Sequence, residues 1–111
     1  MNPDTVSVST DTALKIVANR RRRILLTQLR ENGGGGVPLR ELTEQIAQEE
    51  SVASSLFDAD HDRIAIELHH DHLPKLSDAG ILTYDADTQM VWYVAAARVE
   101  RLLEFVSLEL E

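Results

Sequence analysis

Residues 59–94 constrain this chain more than any other stretch. ADHDRIAIELHHDHLPKLSDAG (59–80) reads as one long helix. Two short runs follow directly, ILTY (81–84) and VWYV (91–94), rich in the β-branched and aromatic residues of strands. Asp85-Ala86-Asp87-Thr88 supplies the turn between them. At about 100° per residue, Ala65, Leu68, His69, His72, Leu76 and Ala79 share one side of the helix, the predicted core side. Arg63, Glu67, His70 and Pro74 share the other, predicted to face solvent or a partner. Gly80 suits the left-handed position just past the helix end.

The remaining elements are shorter. Residues 1–10 read as a flexible tail. Thr10 or Asp11 caps a helix over 11–18, with Leu14 and Val17 on one face. Asn19 breaks the chain or caps the next helix, which runs to about Glu31 and buries Ile24, Leu25 and Leu29. Four glycines, 33–36, end it as a flexible connector. Val37-Pro38-Leu39 suits a small edge strand, because proline has no N–H for a ladder. A helix from about Leu39 to Glu50 turns Leu42, Ile46 and Ala47 inward. A polar link, 51–58, follows, with Leu56 and Phe57 as anchors. Residues 95–111 form a last helix with an apolar stripe of Val99, Leu102, Leu103, Val106 and Leu110. This order predicts an α+β, mostly α, winged helix-turn-helix over 11–94 with an extra C-terminal helix.

Length and composition narrow the function classes. One hundred and eleven residues suffice for one core. No apolar run approaches a bilayer span, and the N-terminus lacks the pattern of a signal peptide. With no cysteine in the chain, disulfides and thiolate metal sites are out, which fits a cytoplasmic protein. No phosphate loop, nucleophile elbow or converging carboxylate pair is present, so neither an enzyme nor a cofactor is expected. His69 and His72 are three apart but lack a third ligand at helical spacing, so no metal is expected.

Charge bears on the partner. There are 19 acids against 11 bases, and Lys15 and Lys75 are the only lysines. Residues 1–40 hold seven bases and three acids, whereas 41–111 hold four bases and sixteen acids. An acidic protein repels nucleic acid at low salt. Molar salt shortens the Debye length to about 3 Å and removes most of that penalty. The acid-rich, lysine-poor composition is similar to that of haloarchaeal cytoplasmic proteins.

Three stretches resemble haloarchaeal winged-helix domains of a family without an assigned function. They are Asn19-Arg20-Arg21-Arg22-Arg23-Ile24-Leu25, Leu68-His69-His70-Asp71-His72-Leu73-Pro74-Lys75-Leu76 and Ser77-Asp78-Ala79-Gly80-Ile81-Leu82. The wider pattern HLxxLxxAGI, from His72 to Ile81, looks like metal-sensor-type repressors. The resemblance covers about residues 12–94 and implies transcriptional regulation. It brings no ligand, and metal sensing does not carry over without the cysteines of the thiolate sensors.

The expected partner is therefore double-stranded DNA, with helix 59–79 in the major groove. Arg63 and His70 lie on the groove side, Lys75 adds charge, and Arg20 and Arg23 meet flanking phosphate. Each has a plainer reading. Glu67 stands four residues after Arg63, a good intrahelical pair, and the whole face can be a solvated, ion-paired surface. Arg21 and Arg22 stand one turn before Leu25 and are expected to lay their stems on the core and pair with acids. The hairpin tip carries acids and no base, against the usual minor-groove contact of a wing. The last helix is expected as the seam of a homodimer through Val99, Leu102, Leu103, Val106 and Leu110, or folded back on the first helix. The rival is a protein–protein module on the same fold.

Overall fold

The structure, a computed structural model, describes residues 8–53, 61–94 and 96–110. Its elements are α1 (Thr10–Val17), α2 (Arg20–Glu31), β1 (Val37–Pro38), α3 (Leu39–Ala53), α4 (His61–Glu67), α5 (Leu73–Asp78), β2 (Leu82–Asp85), β3 (Met90–Tyr93) and α6 (Ala97–Phe105). A π-helical turn, Leu68–His72, joins α4 to α5, and another, Val106–Leu110, continues α6. The protein is α+β and mostly helical. Its antiparallel sheet has three strands in the order β1-β3-β2.

Local chemistry sets the helix starts. Ser9, rather than Thr10 or Asp11, caps α1, its Oγ accepting the Thr12 N–H at 3.1 Å. Ala13, Ile16 and Val17 turn inward, and Leu14, expected on the buried face, is 48% exposed. Asn19 caps α2 by accepting the Arg22 N–H at 3.1 Å. Ile24, Leu25, Leu26 and Leu29 bury its stripe. The tail expected over 1–10 is docked where it is described: Val8 is buried, and its carbonyl accepts from Arg98 Nη1 at 2.7 Å.

The edge strand forms as expected, Val37 opposite Val91 and Pro38 opposite Met90. Gly36 before it sits under the hairpin. A Cβ there would lie 2.8 Å from Met90 Cε and 2.9 Å from Trp92 Nε1. In α3, Leu42, Ile46 and Ala47 are buried. The helix continues three residues past the expected Glu50. Leu56 and Phe57 lie outside the described residues.

The hairpin strands are displaced by one residue from the expected bounds, pairing Leu82 with Tyr93 and Asp85 with Met90. Residues 86–89 make the turn, in which Gln89 takes φ +59° and Asp85 Oδ1 accepts the Asp87 N–H at 3.0 Å. Ending the turn on that left-handed residue moves it one position later than composition suggested.

The long helix departs most from expectation. Among its described residues it is two α segments joined by the π turn, closed by the Leu73 N–H on the Leu68 carbonyl five residues back. Pro74 stands in the first turn of α5. Its ring would crowd a carbonyl four residues back and it has no N–H to give, so the wider turn relieves what a continuous α-helix would strain. The extra residue in that turn shifts the register of the faces that follow it. Ile64, Leu68, His72, Leu73 and Leu76 are buried, whereas Ala65, His69 and Ala79 are only partly covered. Gly80, at φ +79°, ends α5 as expected.

The C-terminal helix folds back on α1. Val99 and Leu103, expected in a dimer seam, are buried in the chain's own core. Tyr93 and Glu100 tie the same helix to the sheet, the phenol donating to Oε1 at 2.7 Å.

Candidate functional site

The outward edge of the long helix carries Arg63, Ile66, His70 and Pro74, all exposed. Ile66 is 60% exposed; at about 100° per residue it stands roughly 60° from Arg63, on the outward side, a position the sequence reading did not assign. Behind this edge stands a line of rings. His70 packs edge-on against His69, centroids 4.8 Å apart, and His69 against Tyr84, 5.7 Å apart. His69 Nδ1 and the Tyr84 hydroxyl share a 2.6 Å hydrogen bond, which fixes the hairpin to the helix. Lys75 lies on the exposed surface but holds Asp71 at 2.8 Å. That bond keeps the Asp71 carboxyl below the usual carboxylate range.

Beside the edge, the starts of α3 and α4 and the hairpin turn enclose a shallow groove of about 250 Å³. Arg40, Glu44, His61, Asp62 and Gln89 line it. Arg40 escaped the sequence reading because nothing in its neighbourhood marks it. Only the packing of α3 on α4 brings it near the long helix.

Arg20 and Arg23 point elsewhere. They line a cavity with Ile24, Thr27, Glu49, Leu103, Val106 and Ser107, on the C-terminal-helix side of α2, and no residue of the long helix contributes. Arg23 Nη1 donates to the Val17 carbonyl at 2.7 Å. The structure thus groups Arg63 with His70 and separates Arg20 and Arg23 from them.

Arg21 and Arg22 are partly buried and paired along the helix contacts, as their place before Leu25 implied. Arg21 Nε donates to Glu50 Oε1 at 2.7 Å, and Nη1 reaches Glu67. The Glu50 bond leads in raising the Arg21 pKa, against the opposing effect of burial. Arg22 Nε donates to His72 Nδ1 at 3.0 Å. A guanidinium has no acceptor, so this bond puts the ring proton on Nε2, which donates to Glu67 Oε1 at 2.8 Å. His72 is 1% exposed. Glu67, expected on the outward side, is turned inward by this network.

Glu67, Asp71 and His72 also present ligand atoms within 4.8 Å of one another. Their chemistry favours ion pairing over a metal. A ligating histidine donates its second ring N–H outward, whereas here Nδ1 accepts from a cation and a second guanidinium shares Glu67.

Of the expected seam, Leu102 and Val106 are partly covered and Leu110 is exposed. With Leu14, Val17 and Phe105 they line an apolar groove of about 380 Å³ between α1 and the C-terminal helix. No helix among the described residues is long and apolar enough to cross a membrane.

A family model described as a domain of unknown function, DUF7344, matches residues 14–92. No curated protein matches the chain.

Proposed function

We propose a function for a chain that belongs to the DUF7344 family: a winged-helix DNA-binding regulator that acts as a homodimer. One observation carries the reading. Helix α2, strand β1, helix α3, the long helix and the hairpin follow in that order, with β1 on the free side of β3, and the long helix keeps one edge uncovered. That connectivity is the one expected of a winged helix-turn-helix, whose second helix enters the major groove. On this reading Arg63 and His70 meet base edges and Ile66 meets a thymine methyl. Arg40, in the first turn of α3, replaces Arg20 and Arg23 as the phosphate contact. The resemblance of residues 12–94 to haloarchaeal winged-helix domains supports the same reading, and a salt-rich cytoplasm, which the lysine-poor, acidic composition suits, would screen the repulsion between this chain and DNA.

The second copy is proposed to sit on the groove between α1 and the C-terminal helix. Leu14, Phe105 and Leu110 expose apolar surface there. Lys15, Arg101, Glu104 and Glu109 stand on the same two elements, so both signs of charge are available to a copy related by a two-fold axis.

A competing reading has its own support. The hairpin tip carries Asp85 and Asp87, Lys75 is spent on Asp71, and Ile66 is exposed, a pattern that suits a protein partner.

Fluorescence anisotropy in molar KCl, with duplexes tiled from the DNA upstream of the coding sequence, separates the two. Wild type should bind, and Arg63→Glu should weaken binding at least about tenfold. No binding by wild type removes the DNA reading, and equal binding by both removes the groove assignment. For the dimer, light scattering should give twice the chain mass for wild type and the chain mass for Phe105→Glu. A single-chain mass for wild type refutes the seam.

A further inference from the structure

We propose that the cavity between α2, α3 and the C-terminal π turn is a binding site for a small organic carboxylate with a compact apolar body. The cavity measures about 460 Å³, within the range of small-molecule sites. Two of the chain's 11 bases, Arg20 and Arg23, converge on it against one acid, Glu49. In a protein of net charge −8, a cavity whose lining is net positive selects for an anion.

The walls refine the ligand class. Arg20 and Arg23 stand three apart at the start of α2, on one side of the helix, where its dipole adds to their charge. Arg23 is pinned by its bond to the Val17 carbonyl. Arg20 makes no side-chain hydrogen bond or ion pair among the described residues. Thr27 and Ser107 offer hydroxyl donors from opposite walls, and Ile24, Leu103 and Val106 supply apolar surface. Arginines and hydroxyls receive a carboxylate, and the apolar side chains cover its body. Glu49 opposes a doubly charged anion, which turns the choice away from phosphate. A ligand held this way bridges α2 to the C-terminal π turn. Arg23 and Val106 also line the neighbouring apolar groove, so occupancy reaches the face proposed for the second copy. The site stands whether or not the chain binds DNA.

Benzoate is a suitable probe and inorganic phosphate its control, both titrated into the full chain at constant KCl and followed by amide NMR shifts. Benzoate should move the amides of residues 20–27 and 103–107 saturably, and phosphate more weakly. Arg20→Gln should raise the benzoate Kd at least about tenfold, the loss of one charge-assisted contact. Ser107→Glu, at an exposed position, should abolish binding without disturbing the remaining spectrum. Phosphate binding as tightly as benzoate overturns the apolar part of the assignment. No saturable shift at millimolar benzoate, shifts elsewhere on the surface, or an Arg20→Gln chain that binds like wild type overturns the site.

Discussion

His72 shows how one side chain can specify a packing arrangement. It is buried, with Arg22 on one ring nitrogen and Glu67 on the other. Glu67 in turn binds Arg21, and Arg21 binds Glu50, so α2, α3 and the long helix meet through one polar network. Replacing His72 by leucine keeps apolar volume but strands a guanidinium N–H and a carboxylate oxygen. His72→Leu should cost about 1–3 kcal/mol in urea melts; a neutral result would mean that water reaches both partners. Tyr93 gives a pH signature. Burial first, then the bond to Glu100, raises its pKa well above the ordinary value near 10. The folded chain therefore keeps the phenolic proton when the unfolded chain has lost it. Stability on this account is full below pH ~10 and falls as pH rises above it. Tyr93→Phe should flatten the fall in melting temperature between about pH 10 and 12.

Among the elements, the long helix and the hairpin depend on backbone irregularities. The π turn ahead of Pro74 spares the helix the clash and the missing N–H that proline imposes on a continuous α-helix, while Arg63, Ile66 and His70 stay on one uncovered edge. The hairpin relies on close approach. Gly36 passes beneath Met90 and Trp92 with no room for a methyl group, which is where β1 joins β3. Met90 can move its end, but the indole has to shift as a rigid plate. Gly36→Ala should therefore destabilise the chain by about 1–3 kcal/mol, with a changed Trp92 emission. Unchanged stability and emission would mean that the hairpin yields freely.

For the whole molecule, charge distribution dominates. With net charge −8, the folded chain repels itself at low salt. Dropping from molar to ~0.1 M KCl lengthens the Debye length from about 3 to about 10 Å. The melting temperature should fall over that range, as read by circular dichroism. A salt-independent value would show that repulsion among the surplus acids contributes little to stability.

The chain's periodicities and punctuation determined much of this protein. Asn19 and Gly80 mark helix ends, Pro38 marks an edge strand, Leu42, Ile46 and Ala47 mark a buried face, and Arg21 and Arg22 before Leu25 mark inward arginines. These are signals of local steric and hydrogen-bonding preference, readable within a turn or two. Tertiary structure alone decided the rest. It put a π turn before Pro74, buried Val99 and Leu103 against α1, brought Arg40 beside the long helix and turned Arg20 and Arg23 toward the C-terminal helix. Each of these depends on which surfaces meet across long sequence separations, and a 100° periodicity carries no information about that. One inserted residue in a helical turn is enough to exchange an inward side chain for an outward one.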